Sequence, residues 1–296
     1  VATFKIILSS ILIIVAMVIV WGLVEPYLID EVSHTASVPA LPAEWEGERI
    51  ALIADMQVGM WLDNIWTIER IVDRIVQEQP AAVLIAGDFV YHPGETFEEA
   101  QQAARLLEPI AAAGIPVFAV LGNHDYAMPT KDAVKNEELA AAVRSALEEV
   151  GIRVLQNEAV ALPLPSAATE DPLFLVGVGA HVPGNDMPEV ALAELPDDSP
   201  RIVMMHHPNS FAAFPAASAP FAVAGHTHGG QFRIPFMPDR TWMTFTEGDE
   251  VHADGWIPDY GADGNRLYVN RGIGFSVLPL RLNCPPELTS FTLTGL

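Results

Sequence analysis

The sequence has one cysteine, Cys284, in 296 residues. A single thiol rules out an intramolecular disulfide and a zinc cluster built on cysteines. Cationic side chains are scarce too: 15 Lys and Arg face 38 Asp and Glu, for a formal net charge of -23. Nucleic-acid affinity comes mainly from neutralising phosphates with such cations, so this balance argues against a general nucleic-acid binder. No internal repeat or long low-complexity tract breaks the chain. Half of the residues are hydrophobic, enough for one large core or two small ones.

From Ile6 to Val24, "IILSSILIIVAMVIVWGLV", there are 19 residues without a charge. As a helix they would cross a hydrocarbon core of about 30 Å, and the run is longer than the apolar part of most cleavable signal peptides. Lys5 precedes it, whereas Glu25, Asp30 and Glu31 follow. The positive-inside bias then places the N-terminus in the cytoplasm and the large domain outside a single-pass cell membrane anchor. The expected division is an anchor over 1–28, a proline-containing connector with one candidate strand over 29–46, and a globular domain over 47–296.

From Arg49 onward, short apolar runs alternate with amphipathic stretches. "RIALIA", "AAVLIA", "IPVFAVL", "LFLVGVG", "RIVMMH", "FAVAG", "RLYVN" and "LTSFTL" read as strands. Residues 64–79, 97–113 and 133–150 carry apolar residues at helical spacing. That alternation predicts a layered α/β domain whose parallel strands are buried on both faces.

Polar residues gather just past these runs. Asp55 and Gln57 follow the first, Asp88 the second, Asn123, His124 and Asp125 the third. His206 and His207 follow "IVMM", and "GHTHGGQ", with His226 and His228, follows "FAVA". Sites in open α/β sheets form outside the carboxyl ends of strands, so the five clusters can converge. Carboxylate, amide oxygen and imidazole together suit two divalent ions of borderline to hard character, namely manganese, iron or zinc. A carboxylate shared by two such ions is an arrangement used to hydrolyse phosphate esters.

The series GD, GNHD, HH and GHTH resembles that of the calcineurin-like metallophosphoesterase superfamily. "GHTHGGQ" followed by "LYVNRGIG" and "PPEL" is similar to its membrane-anchored bacterial branch. The likeness runs from about Pro42 to Leu293. It implies a four-layered α/β/β/α sandwich, with an N-terminal transmembrane helix here. It also implies that Asp55 and His228 hold a first metal, that Asp88 bridges two, and that Asn123, His206 and His226 complete the second. In the family the imidazole at His124 contacts phosphate and protonates the leaving oxygen, steadied by the neighbouring carboxylate, here Asp125. His207 is expected to line the site or, like His92, His181 and His252, to be an ordinary loop histidine.

One position departs from the pattern: the family usually has His two residues after the first Asp, where this chain has Gln57. An amide oxygen donates more weakly than imidazole, so the first site is expected to bind its ion loosely or to select a harder one. Related anchored enzymes hydrolyse phosphodiester, pyrophosphate or nucleotide-sugar lipid substrates, so a phosphorylated small molecule or a lipid-linked phosphate is the expected partner. A domain outside the membrane disfavours a cytoplasmic nucleotide-lipid intermediate. Trp61, Trp66, Phe89, Tyr91 and Tyr126 flank the motifs, either as a seat for an apolar group or as core. Two other readings stay open, a metal-binding scaffold that has lost turnover, marked by Gln57, and a protein phosphatase.

Overall fold

The computed structural model describes residues 2–91, 97–164, 172–196, 198–234, 237–241, 252–276 and 278–295. The first element is helix α1 (Ala2–Val24), apolar on all sides, exposed from Thr3 to Val24 except at Gly22, and long and apolar enough to cross a membrane. The stretch expected as a connector then supplies strand β1 (Asp30–Val38) directly to the main sheet. Its sequence, "DEVSHTASV", alternates exposed polar side chains with half-buried ones, as an edge strand does, so no apolar run marks it.

The buried strands form where the apolar runs fall. They are β2 (Arg49–Ile53), β3 (Ala82–Ile85), β4 (Val117–Ala119) and β5 (Arg153–Val154), then β6 (Glu158–Ala161), β7 (Phe174–Gly177), β8 (Arg201–Met204) and β9 (Ala222–Ala224). A small hairpin of β10 (Arg233–Ile234) and β11 (Met237–Thr241) follows, and β12 (Gly255–Ile257), β13 (Leu267–Val269) and β14 (Glu287–Gly295) complete the strands. Helices α2 (Ile65–Glu78), α3 (Glu98–Ala112) and α4 (Glu137–Glu149) lie between strands of the first half, and the short α5 (Pro188–Leu192) in the second. Helix α4 starts later than the periodicity suggests because Asn136 caps it, accepting from the Leu139 N–H at 2.9 Å.

Two six-stranded sheets result, in the orders β1-β14-β2-β3-β4-β5 and β12-β13-β9-β8-β7-β6. Strands β2 to β5 run parallel, as do β7, β8, β9 and β13; β14 against β2, β6 against β7 and β12 against β13 are antiparallel. Alternation along each strand sorts side chains between layers. Leu52, Leu84, Phe118 and Phe291 of the first sheet meet Leu175, Ile202, Met204, Val223 and Tyr268 of the second. On the outer face of the first sheet, Ile53, Val83 and Ile85 pack under Ile68, Ile71, Leu107 and Val143 of α2, α3 and α4. On the outer face of the second, Val176, Val203 and Val269 pack under Ala191, Phe211 and Phe214. Three apolar seams between four layers make the α/β/β/α sandwich, and the carboxyl ends of β2, β3, β4, β8 and β9 emerge where the two sheets meet.

Candidate metal centre

Each cluster is delivered by the end of a buried strand, and the ends are tied to one another through backbone. Asp55 N–H donates to Gly87 O at 2.9 Å, Gln57 N–H to Asp88 O at 3.0 Å, and Gly225 N–H to His206 O at 3.0 Å. His226 N–H lies 3.0 and 3.1 Å from the two Asp55 carboxylate oxygens, which joins the second sheet to the first. Asp55, Gln57, Asp88, His226 and His228 all have positive φ, between 50° and 74°. For residues with a Cβ this conformation costs about 1–3 kcal/mol each and persists only where surroundings over-determine it, as at functional sites. Two glycines allow the close approach. A Cβ on Gly87 would lie 2.6 Å from His206 Nδ1, and one on Gly272 would lie 2.6 Å from the Asp55 side chain.

The expected ligands converge. Asp55, Asp88 and His206 present ligand atoms within 4.8 Å of one another, as do His206, His207 and His226. Asp88 Oδ2 accepts from Gln57 Nε2 at 3.0 Å and stands 3.3 Å from His206 Nε2, while its Oδ1 accepts from the His124 N–H at 2.9 Å. His206 Nδ1 is fixed by the Ala86 carbonyl at 2.6 Å, which turns Nε2 toward Asp88 and toward Asn123 Oδ1 at 3.2 Å. His228 Nε2 lies 3.8 Å from Asp55 Oδ1.

His124 and Asp125 are placed differently from the expectation. Asp125 does not orient the imidazole. Its carboxylate, fully buried, accepts the N–H groups of Asp88, Phe89, Val90 and Gly122 and so clamps the GD loop to the GNHD loop. The orienting partner of His124 is the Tyr91 carbonyl, 2.8 Å from Nδ1, with the Tyr91 ring stacked on the imidazole at 5.3 Å. A main-chain acceptor has no sequence signature, so only the family resemblance had supplied an orienting partner, Asp125.

Charge in this pocket is unbalanced. Burial, with Asp88 adding to it, pushes the Asp55 carboxyl up to about 7, although His206 opposes this. Burial also works against the charge of Asp88, but His206 and His124 outweigh it and hold that carboxyl well below the usual range. Burial opposes a charged His206, yet the adjacent Asp88 pushes the imidazole up to about 9. Burial and the charge of His206 bring His226 down to about 3, and burial with Arg281 holds His228 well below its ordinary value. His226 and His228 are therefore neutral at pH 7, the state a metal ligand needs.

The donor set fits divalent ions on an independent observation. Among the described residues, Gln57 Oε1, His226 Nδ1, His228 Nδ1 and both ring nitrogens of His207 are buried without a hydrogen-bond partner. Orphaned polar atoms are expensive, and a cluster of them around two carboxylates points to an ion. His207 lies in the loop after β8 and lines the cluster, its ring buried 4.0 Å from that of His226. His181 pairs with Asp186 at 2.8 Å and His252 packs on Tyr260 at 3.7 Å, while His92 lies outside the described residues. Phe89 and Tyr126 are core, whereas Trp61 and Trp66 are exposed.

Sequence reasoning missed Arg281. Fully buried, it donates to the carbonyls of Arg271, Gly272, Gly274 and Cys284, and Gly274 N–H in turn reaches the Asp55 carbonyl at 2.6 Å. A lone arginine within "LPLRL" was the available signal.

The chain is similar to known proteins over most of its length. The family model described as calcineurin-like phosphoesterase matches residues 48–230, which include all five clusters. Phosphodiesterase YaeI of Escherichia coli is 32% identical over 249 residues, 83% of this chain and 82% of that protein. The uncharacterized metallophosphoesterase YkuE of Bacillus subtilis is 25% identical, with 91% and 87% covered. The UDP-2,3-diacylglucosamine pyrophosphatase LpxG of Chlamydia trachomatis is 24% identical, with 93% of each chain covered.

The charge imbalance sets a pH dependence. Asp55 (3.8 to about 7) and His206 (6.5 to about 9) both hold protons more tightly when folded, so their stabilisation is lost as pH rises through the folded values. Below about 7 the depressed His226 and His228 act in the opposite direction, so the metal-free chain should lose thermal stability from pH 7 to pH 9, where His206 dominates, and manganese should abolish the loss. Melting curves with and without manganese check this; a metal-free Tm that climbs across the range contradicts it. Gln57 generates a second expectation. Replacing it by His should tighten manganese at the Asp55 side, by about 10–100-fold if the gain resembles that of restoring an outer partner. Calorimetric titration of both proteins decides, and equal affinity at two sites in the unaltered chain would make Gln57 a full substitute.

Proposed function

From the premise that the chain belongs to the calcineurin-like phosphoesterase family, and is a metal-dependent hydrolase of phosphoester bonds, we propose a membrane-tethered enzyme working with two divalent ions. Its target is the phosphodiester or pyrophosphate bond of a lipid-linked substrate. The observation that carries this reading is the convergence of Asp55, Asp88, Asn123, His206, His226 and His228 from both sheets, with unpartnered Gln57 and histidine atoms facing inward.

Asp55, Gln57 and His228 would hold one ion, Asn123, His206 and His226 the other, and Asp88 both. When bound, manganese, iron or zinc supplies Lewis-acid polarisation of the phosphoryl group and a water acidic enough to attack at neutral pH. The chain's own residues do the rest. His124, its Nδ1 held by the Tyr91 carbonyl, keeps Nε2 for delivering a proton to the leaving oxygen. Asp125 keeps the loops bearing Asp88 and His124 in register by its four backbone bonds. Asp186 accepts from Ser210 and pairs with His181, whose ring lies 5.8 Å from His207, which stiffens that wall.

The lipid-linked target draws support from α1 and from the name of LpxG, a pyrophosphatase of a diacylated nucleotide sugar. The charge order around α1, Lys5 before and Glu25, Asp30 and Glu31 after, favours an extracytoplasmic domain. A C-terminal reporter that works only in the cytoplasm should stay silent; a bright one reverses the topology.

Manganese-dependent hydrolysis of a chromogenic phosphodiester, compared with the matching monoester, tests the activity. Asp88→Asn should be the most damaging ligand change, with metal content and turnover lost together. His124→Ala should leave metal content intact and lower kcat by about 10²–10⁴-fold, most for poor leaving groups. Loss of metal in His124→Ala, or unchanged turnover, would refute the assigned role.

A further inference from the structure

The end of α1 is welded to the loop that backs the metal centre. Gly22 O accepts from the Arg281 N–H at 3.0 Å, and a Cβ on Gly22 would touch Leu282 and Leu280 at 3.4 and 3.5 Å. Glu25, buried just past the helix, accepts the N–H of Asn283 at 2.9 Å and that of Cys284. Gly22 lies inside the uncharged run, two residues before its end at Val24, or about 3 Å at the helical rise. Whatever grips Gly22 therefore sits at the boundary between hydrocarbon and headgroups.

The gripping loop suits that depth. Leu278 is 48% exposed, Leu280 and Leu282 are partly exposed, and the one charged member, Arg281, turns its guanidinium inward to protein carbonyls. A second element stands at the same exit. The Trp66 ring, 52% exposed, lies 5.7 Å from that of Tyr27, with Arg70 4.5 Å above it, and Thr67 and Arg70 donate to the Pro26 and Tyr27 carbonyls. Exposed Leu28 and Trp61 flank this corner in the chain. Aromatic rings with a nearby cation are what the interfacial belt of a membrane protein contains.

We propose that the catalytic domain is seated on the bilayer through the Leu278–Leu282 loop and the Tyr27–Trp66 corner. Both enter the headgroup region of the leaflet from which α1 emerges. The inference rests on the reading of α1 as a membrane span. It deepens that reading, because the loop also carries the metal-centre rim. Gln231, of the GHTHGGQ segment, donates to the Leu278 and Leu280 carbonyls at 2.6 and 2.8 Å and accepts from the Ser276 N–H at 2.7 Å. The Cys284 thiol meets the His228 and Gly229 carbonyls at 3.3 and 3.4 Å. Ligand loops and membrane loop thus move as one body, and the seat holds the centre at a fixed height over the lipid. It selects substrates whose phosphate lies at headgroup depth.

The test uses the full chain reconstituted in phosphatidylcholine vesicles, with an environment-sensitive fluorophore on Leu278→Cys or Trp66→Cys. Ala113→Cys, at the opposite end of the first sheet, is the control; buried Cys284 should stay unlabelled in the unaltered chain. Cooperative melting of each labelled chain shows that it is folded. With lipid carrying a spin label high on the acyl chain, the Leu278 and Trp66 probes should lose most of their emission and the Ala113 probe none. Chains that float with the vesicles but keep all three probes equally bright overturn the seat and leave the hydrolase reading standing. Chains that do not float overturn the tether, and the seat with it.

Discussion

Two carboxylates, Asp55 and Asp88, lie fully buried at the seam between two sheets, and their shared need for a cation organises the rest. Burying one unpaired carboxylate is costly; burying two a few ångströms apart is costlier still. Burial pushes the Asp55 carboxyl up, and Asp88 pushes up the His206 imidazole, which lies 3.3 Å from Asp88 and 3.2 Å from Asn123. Buried carboxylates beside imidazoles held neutral are a donor set that fits divalent ions.

The surrounding structure supplies what the carboxylates cannot. Five site residues hold a left-handed backbone that only a dense network maintains, and the strand ends provide it by bonding to one another across the seam. Asp125 is the main internal fastener, since four N–H groups from two loops meet on one carboxylate. Arg281 does the corresponding work from outside, gathering carbonyls of the segment that packs against Asp55. A positive group so near would oppose a metal if it faced the centre. Its bonds to carbonyls direct it to the backbone instead, and its charge helps to keep His228 neutral.

Much of this was legible in the chain. Strands buried on both faces leave uninterrupted apolar runs, and polar residues just beyond them mark where the strands end, so the convergence of the five clusters could be expected from position alone. Helix boundaries were less visible, because a cap such as Asn136 stops the helix inside a periodic pattern. A strand was expected in the connector, but its place in the main sheet was not, because an edge strand with solvent on one side has no apolar run. The partners of His124 and Asp125 escaped for another reason. Both are bonded to main chain, and a carbonyl or N–H is the same at every residue, so the family resemblance implied a pair that the fold does not make.

The same distinction explains why the link between anchor and site was hidden. Gly22, Glu25 and Arg281 look unremarkable one by one: a helix glycine, an acid after an apolar run, an arginine among leucines. Their meaning lies in a sequence separation of more than 250 residues, closed by β1 pairing with β14 over nine residue pairs, Asp30 to Val38 against Glu287 to Gly295. That pairing brings the segment after α1 beside the segment before β14, and Arg271 secures it with ion pairs to Asp30 at 2.5 Å and Glu287 at 2.7 Å. An edge strand with no candidate ligand of its own thus sets the distance between the apolar helix and the buried carboxylates Asp55 and Asp88. With β1 in the main sheet, the segment that follows α1 is part of the catalytic fold, and the orientation of the site relative to the helix is built into the sheet.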